Sequence, residues 1–151
     1  MPYRPDVLEL LTDRHAEAER LVAAYEATHD PERRNALAGQ LVTGLERHAL
    51  AESQALHPVA RRVLPDGERL VAAARRRWAV AQATARELAE ADPRSPAAER
   101  ATAALLDRLR EHAARAEGEL FSPLRGRLCG RERRELGATA ARRLRDGTEA
   151  V

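Results

Sequence analysis

The chain reads as an all-α protein, an up-down-up-down four-helix bundle with a short C-terminal helix, and three observations predict this. Its apolar content is mostly Ala, Leu and Val and its aromatics amount to only 3%, a composition that suits helix packed on helix better than a sheet. Apolar residues recur at helical spacing in four long runs. Brief breaks carrying Pro, Gly and Asp separate the runs, and short connections between long amphipathic helices make neighbours antiparallel.

The first run passes through Val7, Leu11, His15, Ala18, Val22 and Tyr25 and ends near His29-Asp30-Pro31. Its odd member is a histidine on the buried face. The second runs through Leu37, Leu41, Leu45, His48, Glu52, Ala55 and Val59 and stops around Leu64-Pro65-Asp66-Gly67, a turn with a proline and a glycine. The third passes through Leu70, Ala74, Trp78, Ala81, Ala85 and Leu88 to the break at Asp92-Pro93-Arg94-Ser95-Pro96. The fourth carries Leu105, Leu109, His112, Ala116 and Leu120 and ends by Pro123. A last short helix, about Arg131 to Leu144, has few apolar residues and is expected to lie across one end of the bundle. The chain divides accordingly into a bundle, residues 1–125, and a basic C-terminal helix and tail, residues 126–151, packed on it.

Composition narrows the function classes. The length, 151 residues, suits one domain with a sizeable core. All 26 basic residues are Arg, and against 24 Asp and Glu they leave a formal charge of only +2, which does not predict nucleic-acid binding. Arg125, Arg127, Arg131, Arg133, Arg134, Arg142, Arg143 and Arg145 concentrate charge near the C-terminus, but Glu132 and Glu135 interrupt them and no aromatics interleave, the pattern of a solvated helix face. Cys129 is the sole cysteine, which excludes an internal disulfide, fits a reducing cytoplasm and by default is an inert surface thiol. The N-terminus Met1-Pro2-Tyr3-Arg4-Pro5-Asp6 has no apolar signal region, and no stretch approaches the roughly 18 apolar residues of a membrane span, so a cytoplasmic protein is expected. No catalytic triad order, phosphate-cradling loop or dinucleotide fingerprint stands out, so no organic cofactor and no catalytic residue is assigned. The oligomeric state stays open.

The informative residues are the ionisable ones inside the apolar stripes. His48 and Glu52 are four apart, which on a helix puts both on one face. Counting back from the turns, His15 and His48 to Glu52 each lie about 15 residues from the first, Glu52 and Trp78 about 13 from the second, and Trp78 and His112 about 16 from the third. All meet in one central layer. Buried ionisable groups are costly unless paired or bound to metal. A lone buried histidine reads as a hydrogen-bonded core residue, but three histidines and a carboxylate at one level form a common ligand set for non-haem iron or zinc.

Here the chain resembles the hemerythrin-like family, whose HHE cation-binding domains are four-helix bundles that hold a non-haem di-iron centre. The likeness rests on Asp13-Arg14-His15, on His48-Ala49-Leu50-Ala51-Glu52 with Leu56-His57-Pro58, and on Glu111-His112 with Glu117-Gly118-Glu119-Leu120-Phe121, and covers about residues 6 to 125. The tail Glu132 to Gly137 is similar to a short terminal helix often seen there. The resemblance implies an iron protein with one or two non-haem ions, His15, His48 and Glu52 serving one metal and His112 left from the ligands of the second. It also exposes departures. The family's third helix supplies at least one ligand histidine, whereas Arg77-Trp78 and Gln82 stand there in this chain. An indole nitrogen is only a donor and does not ligate a cation, so Trp78 either fills a vacated cavity or, with Gln82, lines a pocket beside a surviving site. In the fourth helix the bacterial pattern His-x3-Glu would put a carboxylate at position 116, which is Ala116. The His-x4-Asp spacing of the oxygen carriers instead points to Glu117 as a fifth ligand, although positions i and i+5 lie about 140° apart on an ideal helix. His57 is expected to pack beside the ligands without binding metal.

These departures imply an incomplete site, one iron or an asymmetric pair, with open positions for dioxygen, nitric oxide or peroxide, suited to sensing or small-ligand binding. Two alternatives stand beside it. One is an oxidative metalloenzyme acting on an organic substrate in a pocket reshaped by Trp78 and the alanine-rich third helix. The other is a metal-free bundle serving as a structural or partner-binding module.

Overall fold

Most of the helices begin where a side chain or a proline settles the first turn. The computed structural model describes residues 3–146, and among these every regular element is helical. Helix α1 (Val7–Ala27) is capped by Asp6, whose carboxylate accepts the Leu8 N–H at 2.8 Å. Helix α2 (Pro31–Ala51) starts from Asp30, which accepts the Glu32 N–H at 3.2 Å, with Pro31 in the first turn, where a missing N–H removes no helical bond. A π turn, Glu52–Leu56, carries α2 into α3 (His57–Val63). Helix α4 (Gly67–Glu90) follows a tight turn. Helix α5 (Pro96–Ala116) is capped by Ser95, whose hydroxyl accepts the Ala98 N–H at 3.2 Å. A second π turn, Glu117–Phe121, carries α5 into α6 (Ser122–Arg127).

Two rods thus continue through a wide turn. In each the closing bond spans five residues, from His57 N–H to Glu52 O and from Ser122 N–H to Glu117 O. A proline follows at once in the first turn of the next helix, Pro58 in one rod and Pro123 in the other. Proline has no N–H and crowds the carbonyl four residues back, and the widened turn before it gives the ring room. The fourth helical run therefore does not end by Pro123, as the sequence suggests, but goes on to Arg127.

Helices α1, α2, α4 and α5 close a ring of contacts, α1 on α2, α2 on α4, α4 on α5 and α5 on α1. The core inside it forms two apolar clusters. One gathers Leu8, Leu11, Leu56, Leu120 and Leu124, the other Val22, Leu41, Leu88 and Leu105. Each of these fully buried side chains contributes about 1.5–3 kcal/mol. The polar layer lies between the two clusters, so sealed apolar packing flanks it on both sides.

Helix α7 (Gly130–Asp146) contacts α1, α2 and the first π turn. Gly137 sits on the chain before α1 so closely that a Cβ there would run into the Pro5 carbonyl oxygen, and Ala140 and Ala141 are buried beside it. Leu144 shares a small cavity of about 80 Å³ with Arg14 and His48. The helix thus runs alongside α1 up to the level of the polar layer instead of across one end of the bundle. Its contact combines small residues that permit close approach with Leu136 and Leu144, which pack against the core from half-buried positions. The tail beyond Asp146 lies outside the described residues. Among those residues no helix is long and apolar enough to cross a membrane.

Candidate metal centre

His15 comes from α1, His48 from α2, Glu52 from the first position of the π turn that continues α2, and His112 from α5. All are buried, His112 completely. The Nε2 atoms of the three histidines converge on one oxygen: Glu52 Oε1 lies 2.8 Å from His48, 3.6 Å from His112 and 3.7 Å from His15. The first contact is a hydrogen bond, while the other two are too long to be one. One ligand atom from each of the four residues lies within 4.8 Å of every other.

Burial would push the Glu52 carboxyl up, but the charge of His48 and the approach of the His112, His15 and His48 rings outweigh it and hold the group well below the usual carboxylate range. Burial pushes His48 down, against the opposing pull of Glu52. The depressed carboxyl favours the ionised form in which Glu52 would bind metal, and burial works against a charged His48 ring. Both ring nitrogens of His15 and of His112 and Nδ1 of His48 are buried without a hydrogen-bond partner. So many orphaned nitrogens in one place call for a missing partner. Metal–ligand bonds of about 2.0–2.2 Å place neighbouring ligand atoms about 3–4 Å apart. Small side-chain movements suffice to close this cluster on one ion.

Not every expected residue joins. Glu117 is half-buried and is not among the converging atoms. Helix α5 stays regular as far as Ala116 and the second π turn begins only at Glu117, so nothing corrects the angular offset between His112 and a residue five places on. The inward position four residues on is the buried Ala116. On α4, Trp78 both fills and lines. Its ring centroid lies 4.4 Å from His112 and 4.6 Å from His48, and its Nε1 donates to the Leu45 carbonyl at 2.9 Å, which fixes it there. With Gln82 it also borders a cavity of about 380 Å³ between α2 and α4.

His57 is more central than its sequence position suggests. It is buried, with its Nε2 at 3.7 Å from Glu52 Oε2, the oxygen turned away from the other imidazoles. In an unbroken α-helix Glu52 and His57 would lie about 140° apart; the π turn, whose bond joins these two residues, brings them to one face. The signal for it in the sequence is the parallel between Leu56-His57-Pro58 and Leu120-Phe121-Ser122-Pro123. Ser122 holds the matching place in the other rod, and Phe121 just before it stacks on His15, centroids 5.8 Å apart. Cys129 is exposed and takes no part.

The sequence model of the hemerythrin HHE cation-binding domain matches residues 6–124, a span that holds every residue of this centre. No curated protein and no solved structure gives a significant match to the chain. With more than half of its length matched, the chain belongs to the hemerythrin HHE cation-binding domain family.

Proposed function

We propose that this is a non-haem iron protein of up-down-up-down bundle topology whose site is incomplete, holding one ion and binding or sensing dioxygen, nitric oxide or peroxide. The observation that carries the reading is the convergence of His15, His48 and His112 on Glu52 Oε1 with their remaining nitrogens unpaired. His15, His48 and Glu52 supply the ligands of the ion, and His112 the fourth contact. A single ion is expected because of α4, where Trp78 occupies the space between His48 and His112 and offers no lone pair. Iron bound here supplies redox and Lewis-acid chemistry at coordination positions that the protein leaves free. The two apolar clusters close the layer off at its two ends, while the α2–α4 cavity reaches it from the side. In this reading the chain works in a reducing cytoplasm, where the exposed Cys129 stays a thiol.

Electron paramagnetic resonance of anaerobically iron-loaded protein, before and after nitric oxide, tests the reading. A new signal that saturates near one nitric oxide per iron is expected, and a spectrum indifferent to nitric oxide would contradict it. A second reading, oxidation of an organic substrate, is favoured by one observation: the α2–α4 cavity reaches Glu52 itself.

A further inference from the structure

The cavity between α2 and α4 has a volume of about 380 Å³, within the range of small-molecule sites, roughly 300–1,000 Å³. It opens where α4 presents Ala79 to α2, and its apolar wall is completed by Ala49, Leu50 and Trp78. At its inner end are Glu52 and His57. His57 is only 3% exposed, borders this cavity, and has no hydrogen-bond partner at either ring nitrogen. A buried imidazole left unpaired is costly, and a ligand in the cavity would satisfy it.

The charges nearby decide the ligand's sign. Arg75 lines the cavity and makes no ion pair among the described residues. Arg61 also faces His57 but is matched by Glu68 at 3.3 Å. The rim carboxylate Glu46 is turned to Arg86 at 3.4 Å. The net positive charge of Arg75 beside His57 repels a second cation and attracts an anion, and the apolar wall suits a hydrocarbon body.

We propose that this cavity binds a small monocarboxylate, its carboxylate meeting Arg75 and the His57 imidazole and its hydrocarbon part lying against Trp78, Ala49 and Leu50. The inference rests on the metal reading in one respect: a cation at Glu52 offsets the negative charge at the inner end.

Trp78 is the sole tryptophan of the chain, so its emission reports on the cavity directly. Iron-loaded protein is titrated with sodium hexanoate and, separately, with uncharged hexanamide, and iron content is measured in the same samples. Hexanoate should give a saturable change, and hexanamide should bind at least roughly tenfold more weakly, as should hexanoate to Arg75→Gln, since each comparison removes a charge-assisted bond. Arg75 is exposed, so that variant keeps its fold. Ala79→Leu, also at an exposed position, should abolish binding of both probes by filling the cavity. No saturable change, equal affinity for hexanamide, or an Arg75→Gln variant that binds hexanoate like wild type would each overturn the proposal. Iron-containing protein that ignores hexanoate removes this site and leaves the proposed function standing. Iron-free protein that binds hexanoate through Arg75 does the reverse.

Discussion

Glu52 presents one oxygen to three histidines and the other to a fourth, and the two sides are not equivalent. Oε1 is within 2.8–3.7 Å of His48, His112 and His15, whereas Oε2 has His57 at 3.7 Å, bordering the α2–α4 cavity. Glu52→Ala should lower metal affinity by at least about a hundredfold, more than is lost with a partner that only orients a ligand. His57→Phe should leave the metal-to-chain ratio near wild type. Equilibrium dialysis followed by mass-spectrometric metal analysis makes the comparison, and equal losses would move His57 into the ligand set. Trp78→His should raise iron loading towards two per chain, because it puts an imidazole beside His112 and removes bulk. The variant gives up the bond to Leu45 O and buried indole packing, about 2–4 kcal/mol, so thermal unfolding is followed in parallel. A folded variant with unchanged iron content would clear Trp78 of blocking a second ion and implicate Ala116 and Gln82 instead. Counting residues from the turns places His15, His48, Glu52, Trp78 and His112 in one layer, because helical rise and angle are constant along regular stretches. The same arithmetic misjudges His57, since the π turn resets the angle within the count.

Among the elements, the π turns and α7 are where sequence and structure part. Pro123 looks like a helix end and instead, like Pro58 within the second run, follows a wide turn through which the rod continues. Helix α7 is expected across one end of the bundle and instead lies along α1, packing through Gly137, Ala140 and Ala141 with Leu136 and Leu144. Its anchor is Asp6, which accepts the Leu8 N–H as the cap of α1 and pairs with Arg133 at 2.6 Å. Partial burial would raise the Asp6 carboxyl, but the Arg133 hydrogen bond and charge, with the Leu8 and Glu9 backbone, hold it below its ordinary 3.8. Asp6→Ala should destabilise the protein by about 1–2 kcal/mol through the lost cap, with a smaller share from the partly solvated ion pair. A carboxyl depressed in the folded state adds stability above its unfolded pKa and loses it as pH falls through the lower folded value. The gap between wild type and Asp6→Ala in thermal melts should therefore be full above about pH 4 and shrink below it. A gap that is constant down to about pH 2 would show that the charge of Asp6 contributes nothing.

At the scale of the whole molecule, the fold spends its centre on polarity. Four helices bring three imidazoles, a carboxylate and an indole between two apolar clusters, and Nε2 of His15 and of His112 has no hydrogen-bond partner there. A metal that binds only the folded chain stabilises it in proportion to the logarithm of its concentration over Kd, so an ion held at this centre would add to stability. The helical class and the ring of four helices are legible from apolar spacing and short breaks, because these are properties of each run and its ends. The number of ions is not, because it depends on which side chain fills the space on α4. That number is the central claim. Iron-to-chain stoichiometry after anaerobic loading and removal of weakly bound metal, measured by mass spectrometry on untagged protein, should give about one ion per chain; two tightly held ions would contradict the role assigned to Trp78, and none would contradict the metal centre itself.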